Sequence, residues 1–303
     1  MATQSTINSS DPLLRREQEK IYIRAPKGVL KFVKKKPLGG VGLLILLIMC
    51  FMAIFAPVIA DDPLQTDYNQ MIAAPSADHL FGTDDLGRDL WSRIIYGARI
   101  SLYVGFLSVL FGSGTGCIIG LVGAFYGGSI DTFLQRIIDA MMAFPSLILA
   151  LTIVATLGAG LDKVILAIAI VQVPRASRVV RSQALAIREM DYVTAAKAIG
   201  CKDTRIMMRH ILPQVVAPWL IIASAALGTA ILTEASLSFL GLGVPAPEPA
   251  WGGMLSGRAR DYYAVAPWMA IWPGLFIALA VYGFNLFGDA LRDILDPRLR
   301  GTQ

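Results

Sequence analysis

Charged residues are scarce in this sequence. Asp, Glu, Lys and Arg make up 16% of its 303 residues, whereas soluble domains carry about 25%. Hydrophobic residues reach 55%, the mean hydropathy is +0.60, and the apolar residues are gathered into long blocks. The shortage of charge excludes an ordinary soluble domain. The blocks are long enough to cross a bilayer as helices, so the sequence predicts an all-α integral membrane protein.

Histidine and cysteine are also rare. His79 and His210 lie far apart and Cys50, Cys117 and Cys201 are scattered, so neither a metal cluster nor a disulfide framework is expected. The chain has no G-x-x-x-x-G-K-[ST] phosphate-binding loop, no G-x-S-x-G and no H-E-x-x-H. These absences argue against ATP binding of the Walker type and against the corresponding hydrolases. They predict a non-catalytic chain with no metal and no cofactor of its own.

Six long apolar segments are the predicted membrane spans, because about twenty apolar residues cross the hydrocarbon core. They are residues 39–60, 101–125, 137–157, 164–180, 215–239 and 267–287. Pro145 is expected to kink the third span. Gly112, Gly116 and Gly120 recur every fourth residue in the second span, and small residues at that spacing predict close packing against another helix.

Charge outside the spans sets the predicted topology. The segments 1–38 and 181–214 are rich in Lys and Arg and are expected in the cytosol. Residues 61–98 hold seven Asp and two Arg and are expected outside. The loop 240–265 is then external and the tail 288–303 is cytosolic. The prediction is therefore six transmembrane helices with both termini cytoplasmic.

Residues 191–213, DYVTAAKAIGCKDTRIMMRHILP, lie between two spans and yet have the pattern of two short helices separated by glycine. The expected boundaries are, in chain order, a cap at Asp191, a left-handed residue at Gly200, a second cap at Asp203 or Thr204, and a terminating Pro213. An ordered and partly apolar feature outside the lipid needs a partner to cover it.

This stretch resembles the coupling-loop signature of bacterial ABC-importer permeases, E-A-A-x3-G-x9-I-x-L-P. The residues in register are Ala195, Ala196, Gly200, Leu212 and Pro213. Thr194 replaces the usual glutamate, and His210 takes the isoleucine position with Ile211 one place later. The resemblance implies docking to an ATPase through Asp191, Thr194, Ala195, Ala196, Gly200, Arg209, His210, Leu212 and Pro213. We call residues 191–213 the coupling segment. The alternative is an amphipathic loop that contacts only its own bundle.

A second motif, residues 78–102, resembles one found before the second span of the second-type permease in dipeptide, oligopeptide and nickel importers. The matching residues are His79, Gly82, Thr83, Asp84, Gly87, Arg88, Asp89, Ser92, Arg93, Gly97, Ala98, Arg99 and Ser101. A glycine-bearing turn is expected here, with Asp84 as the cap of an interfacial helix from Leu86. Arg88 and Arg93 are expected to pair with aspartates or to reach lipid headgroups. His79 with Asp84 could bind a metal, but a structural role is the favoured interpretation.

Residues 231–243 are a third matching region. The chain as a whole therefore resembles the second-type (C-type) permease of this importer family. The resemblance implies a type I importer core in the bacterial inner membrane. It implies a sister permease, two cytosolic ATPases that hold ATP and Mg²⁺, and an extracytoplasmic solute-binding protein, with no nucleic acid. The implied cargo is dipeptides or oligopeptides; the alternative is a nickel chelate or another small solute. Rival interpretations are a secondary transporter, an intramembrane enzyme and an exporter.

Two polar residues fall inside predicted spans. Glu234 lies toward the outer end of the fifth span and Asn285 near the inner end of the sixth. A carboxylate in hydrocarbon costs several kcal/mol unless it is paired or hydrated. Glu234 is therefore expected either on the translocation path or at a gate, or in a structural hydrogen bond between helices. For Asn285 the same two interpretations apply, and a hydrogen bond between helices is the favoured one.

Overall fold

The computed structural model describes residues 36–256 and 258–295. The predicted N-terminal tail, apart from its last three residues, and the end of the C-terminal tail lie outside these ranges. The helices are α1 Pro37–Ile59, α2 Leu90–Tyr126, α3 Gly128–Met142, α4 Ser146–Leu157, α5 Leu161–Arg188, α6 Asp191–Ala198, α7 Asp203–Ile206, α8 Leu212–Phe239, α9 Trp251–Met254, α10 Arg258–Asp261 and α11 Trp268–Leu295. No β-strand forms among the described residues, so the all-α prediction is confirmed.

Four helices in the described ranges are long and apolar enough to cross a membrane: α1, α2, the continuous helix Asp203–Phe239, and α11. A fifth crossing results if α3 and α4 are counted as one bent span. Helix α5 has 28 residues, about 42 Å at 1.5 Å per residue, but it carries more charge than the others. The chain is a multi-pass membrane protein, and the count of six spans stays a prediction.

Helix α2 begins at Leu90, which lies between the start expected for the interfacial helix, Leu86, and the start expected for the second span, residue 101. Its cap is Asp89, whose Oδ2 accepts a 2.8 Å hydrogen bond from the backbone N–H of Ser92. The prediction that Asp84 caps a separate interfacial helix starting at Leu86 is therefore wrong. Nothing between Leu90 and Ser101 interrupts the helix, so the expected interfacial helix and the second span form one helix of 37 residues.

The glycine seam of α2 packs against α5, as its spacing predicted. A Cβ atom added at Gly112, Gly116 or Gly120 would collide with a backbone carbonyl of α5. The carbonyls belong to Ala169, Val173 and Ser177, which also recur every fourth residue. The two backbones therefore touch along three successive turns, a contact that only glycine permits.

The third predicted span is broken into two helices. Residues 128–136, which lie before the predicted span, already belong to α3, and α4 leaves α3 at an angle of 91°. Pro145 stands immediately before α4, because proline has no N–H to continue the preceding helix. The predicted kink is thus a full break. Salt bridges from Asp131 to Arg181 and from Asp139 to Arg178 tie α3 to α5.

Buried apolar side chains form three clusters. One cluster contains residues of α1, the start of α2, the end of α8, and the helices α9, α10 and α11. A second, in the middle, joins α2, α4, α5 and α8. The third joins the ends of α2 and α5 to the coupling segment. We call the end of the bundle that holds the third cluster the coupling end, and the end that holds residues 61–90 and 241–256 the far end.

Candidate functional site

The coupling segment turns at Gly200, as predicted. Gly200 has φ of +77°, a conformation that costs glycine little and other residues more. Its N–H donates to the Lys197 carbonyl at 2.9 Å, and the N–H of Cys201 donates to the Ala196 carbonyl at 3.1 Å. This pair of bonds is a Schellman motif, which satisfies the last carbonyls of α6.

The capping roles predicted for two aspartates are wrong. Asp191 and Asp203 are the first residues inside α6 and α7, and the cap positions are held by Met190 and Lys202 without a side-chain bond. A carboxylate in the first turn still favours the helix, because the N-terminal end of the helix dipole is positive. The aspartates therefore support the helices through charge rather than as caps.

Pro213 does not close the second helix. Residues Met207–Ile211 form a wide π-helical turn in which the N–H of Leu212 donates to the Met207 carbonyl. The helix then runs on to Phe239, with Pro213 as the second residue of α8. Proline interrupts a regular ladder because it lacks an N–H, and a wide turn just ahead of it accommodates this defect. The second half of the coupling segment is consequently a continuous extension of α8.

One face of the coupling segment is packed against the bundle. Val193 and Ala196 of α6 are buried, as are Ile206 and Ile211, and they contact the ends of α2 and α5. Ala196 is only 5% exposed, so its small side chain is needed by this chain's own packing. The expectation that Ala196 itself contacts the ATPase is corrected accordingly.

The opposite face is open. Ile199 is 81% exposed and Met208 is 55% exposed, although both are large and apolar. The same segment carries the exposed cationic side chains Lys197, Lys202, Arg205 and Arg209, and the exposed carboxylate Asp203. Of the remaining predicted docking residues, Asp191, Thr194, Ala195, Gly200 and Pro213 are exposed, and His210 and Leu212 are half-buried. Apolar side chains left open on a structured surface indicate an interaction site.

Polar contacts link the two halves of this segment, and others tie the end of α5 that precedes it to α2 and α3. The Tyr192 hydroxyl donates to the His210 carbonyl at 3.4 Å, which links α6 to the second half of the segment. Arg188 donates from Nη1 to the Ala124 carbonyl at 2.9 Å, at the C-terminal end of α2. Arg181 donates from Nε to Asp131 at 2.7 Å. In the sequence these arginines indicated only topology, because nothing in their spacing identifies a partner about fifty residues away.

Glu234 is fully buried within this chain. The Ser238 hydroxyl, one turn later in α8, donates to its Oε1 at 2.8 Å. The Ser101 hydroxyl of α2 donates to its Oε2 at 3.2 Å. The carboxyl group therefore bridges α8 and α2 and does not reach an open surface of the chain. This arrangement favours the structural interpretation, and sequence reasoning had not identified the two serines as its partners.

Two substitutions of Glu234 should distinguish a structural role from a role on the translocation path or at a gate. Glu234→Gln retains hydrogen-bonding oxygen and nitrogen atoms, so we expect near-normal assembly and transport. Glu234→Leu leaves two buried hydroxyls without their partner, at a cost of about 1–3 kcal/mol, and should lower the yield of folded protein. Thr233→Leu is the control, because the Thr233 hydroxyl bonds only the Thr229 carbonyl of its own helix. Normal folding of Glu234→Gln combined with lost transport would instead support a path or gate role.

Asn285 lies on an exposed part of α11. A Cβ atom added at Gly228 of α8 would stand 3.1 Å from the Asn285 Oδ1, so the amide lies beside the backbone of α8. A role for Asn285 on the translocation path stays a prediction.

The external motif folds around Asp84, which is 4% exposed. Its Oδ1 accepts the backbone N–H groups of Leu86 and Arg88, both at 2.9 Å, and its Oδ2 accepts the Arg88 Nε at 2.7 Å. Arg93 approaches the same carboxylate at 3.5 Å. The predicted pairing of both arginines with aspartate is confirmed. Gly82 and Gly87 have φ of +77° and +72°, as a glycine-bearing turn requires.

The motif also ties together the loops of the far end. Arg93 donates from Nη1 to the carbonyls of Pro63 and Pro247, at 3.1 and 3.4 Å. His79 pairs through Nδ1 with the capping Asp89 at 3.1 Å, which favours its structural interpretation. No group of three or more potential metal ligands occurs in the part of the chain that the structure describes.

Sequence comparison gives two family matches. The model of the family described as "binding-protein-dependent transport system inner membrane component" matches residues 112–301. The model described as "N-terminal TM domain of oligopeptide transport permease C" matches residues 27–75. Together they cover most of the chain, including the coupling segment.

Curated relatives agree with these matches. The dipeptide transport system permease protein of Alkalihalophilus pseudofirmus is 48% identical over 271 residues, which is 89% of each chain. The glutathione transport system permease protein of Pectobacterium atrosepticum is 41% identical over 272 residues, 89% of this chain and 90% of that protein. A putative peptide transport system permease protein of Brucella suis is 45% identical over 86% of this chain and 88% of its own.

Among solved structures, inward-facing forms of the MetNI methionine ABC transporter share the fold. One crystal form gives a TM-score of 0.55 at 19% identity and covers 68% of this chain and 98% of the other. The fold is that of a type I importer permease. With the two family matches and the close relatives, it follows that the chain belongs to the family of binding-protein-dependent transport system inner membrane components.

Proposed function

We propose that this chain is the permease subunit of an ABC importer for short peptides. The names of its relatives support the cargo class, since they include dipeptide, peptide and glutathione transport permeases. The matched family supports the role of an inner-membrane component. We further propose that a sister permease completes the translocation path and that an extracytoplasmic solute-binding protein delivers the peptide.

The observation that carries this proposal is the two-faced coupling segment. Its buried face packs into the bundle through Val193 and Ile206, while Ile199 is exposed, as are the sequence neighbours Lys197 and Lys202. Such a face fits a cytosolic ATPase groove that offers an apolar pocket and acidic residues around it. ATP and Mg²⁺ are proposed to bind to two such ATPase subunits, and this chain supplies only the docking surface.

The geometry suggests how ATP hydrolysis is transmitted. The second half of the coupling segment continues into α8 without a break, so displacement of this half moves α8 as a lever. Through the bond between Glu234 and Ser101, and through apolar packing, α8 then carries α2 with it. Closure of the ATPase dimer would thus tilt the helices and expose the path alternately to the two sides.

We also propose the topology indicated by charge, with six crossings, with residues 61–98 and 240–265 outside, and with the coupling segment in the cytosol. An impermeant thiol reagent applied to intact cells should label a cysteine introduced at Asn69 and should not label one at Lys202. Both positions are exposed in the structure, so the difference reports the side of the membrane. Labelling at Lys202 alone would overturn the topology.

The docking proposal is tested by cross-linking from the open face. A photoreactive amino acid at position 199 should cross-link the ATPase in the assembled complex, whereas one at Ala196, which faces the bundle, should not. Cross-links from position 199 to this chain alone would support the alternative, in which the segment contacts only its own bundle.

A further inference from the structure

A cavity of about 370 Å³ opens at the far end of the bundle. One wall is the external motif, with Asp84, Asp85, Arg88 and Arg93, and the facing wall comes from the loop 241–256. This volume lies within the range of small-molecule sites, about 300–1,000 Å³. The cavity lies at the opposite end of α2 and α8 from the coupling segment, so it is separate from the docking surface.

The walls of this cavity are charged and rigidly held. Asp84 and Arg93 are 4% and 6% exposed, and both are fixed by the hydrogen bonds of the external motif. Arg93 donates to carbonyls of both loops, Pro63 and Pro247, so the two walls keep their separation. Charged groups positioned in this way need little reorganisation when a ligand binds.

Groups of both signs face the cavity. Arg88 uses its Nε for Asp84, and a guanidinium has four further N–H donors on its terminal nitrogens. Glu248 lines the opposite wall and is exposed at the rim. The wall of Arg88 also carries Asp84, which is paired with Arg88, and Asp85, whereas Glu248 belongs to the loop wall. The terminal N–H groups of Arg88 and the carboxylate of Glu248 match a ligand that carries a carboxylate and an ammonium group, because hydrogen bonds between charged groups are the strong ones.

The floor of the cavity contacts the helix bundle. Ser238 lines the cavity, and its hydroxyl donates to the buried Glu234, which is in turn bonded to Ser101 of α2. A ligand in the cavity would therefore lie directly above the contact between α8 and α2, the two helices that run toward the coupling end.

We propose that this cavity binds a short free peptide through its two charged termini, with the carboxylate on Arg88 and the ammonium on Glu248. The inference rests on the proposed peptide cargo and adds a binding site on the permease itself. The peptide would occupy this site after it leaves the solute-binding protein and before it enters the path.

The first test is a thermodynamic cycle on the purified complex without the solute-binding protein. Binding of L-alanyl-L-alanine and of N-acetyl-L-alanyl-L-alanine is measured by calorimetry for the wild type and for Glu248→Gln. Acetylation and the substitution should each weaken binding by about tenfold, the effect of 1.4 kcal/mol, and their combination should cost no more than either alone. Equal affinity of the two peptides for the wild type, or additive losses, would overturn the assignment of Glu248.

The second test fills the cavity. Gly253 lines it, and a Cβ there would meet only the Ala250 Cβ, at 3.9 Å. Gly253→Leu should therefore fold and abolish dialanine binding. Gly274→Leu is the matched control, since its Cβ would meet nothing within 4 Å and Gly274 does not line the cavity. If Gly253→Leu does not assemble, the thermodynamic cycle with Glu248→Gln still tests peptide binding in the cavity, because Glu248 is exposed and its substitution should not disturb folding.

The outcomes separate this inference from the proposed function. If the complex imports dialanine but dialanine binding is absent or survives Gly253→Leu, the cavity is not a peptide site and the importer assignment stands. If the complex does not import peptides at all, the proposed function fails, whatever the binding measurements show.

Discussion

Replacing Ile199 with aspartate should abolish ATP-driven transport and leave the chain folded. Ile199 is 81% exposed, so the change removes no intramolecular packing. In the proposed complex the side chain fills an apolar pocket on the ATPase, and central apolar anchors of this kind are worth about 2 kcal/mol or more. That loss weakens ATPase binding about 30-fold. Co-purification of the ATPase and uptake by reconstituted complex measure the two effects.

The control for this variant is Met71→Asp. Met71 is also a large exposed apolar residue, at 45%, but it lies in the segment 61–98 at the far end. It should retain ATPase binding and transport. If Ile199→Asp keeps wild-type ATPase binding and uptake, the open face of the coupling segment is not the docking surface.

A leucine in place of Gly116 should prevent α2 and α5 from packing. The Cβ alone would stand 2.5 Å from the Val173 carbonyl oxygen and 2.7 Å from the Ala176 Cβ, both well inside van der Waals contact. Overpacking of a close contact costs about 1–3 kcal/mol and sometimes more. We expect Gly116→Leu to lose more stability than that range, because the backbone carbonyl of Val173 cannot rotate away as a side chain can. The yield of monodisperse protein and its thermal unfolding measure the loss.

Gly114 provides a matched control in the same helix. A Cβ there would meet nothing within 4 Å, although Gly114 is only two residues from Gly116. Gly114→Leu should therefore fold like the wild type. Equal stability of the two leucine variants would show that the glycine seam is not a close helix contact.

Features that depend on local backbone chemistry were predictable from the sequence. Gly200 takes a positive φ where one helix must end, and only glycine does this at little cost. Gly112, Gly116 and Gly120 marked a close helix contact because lipid offers little other reason for small residues at that spacing. The identity of the facing helix was not predictable, because the glycines carry no information about their partner.

The errors arose where tertiary context overrides a local rule. Pro213 was expected to end a helix, but the π-helical turn at Met207–Ile211 lets the helix continue into α8. At the far end both Asp84 and Asp89 had the chemistry of a cap. In the structure Asp89 caps α2, whereas Asp84 forms salt bridges with Arg88 and Arg93. Sequence alone does not distinguish two equivalent carboxylates five residues apart.

Burial was the hardest property to predict. Ala196 matched the coupling signature, yet it packs inward, and the neighbouring Ile199 is the residue left open. Glu234 was correctly singled out as an unusual carboxylate within a span. Its interpretation stayed open because Ser101, one of its two partners, lies 133 residues away in the chain.

ATP-dependent uptake of dialanine tests the central claim most directly. The complex of this chain with its sister permease and ATPases is reconstituted in vesicles, with ATP on the ATPase side and the solute-binding protein with labelled dialanine on the other. We predict accumulation of dialanine with ATP and none with a non-hydrolysable analogue. Accumulation that follows an ion gradient in the absence of ATP would contradict the account and would identify a secondary transporter.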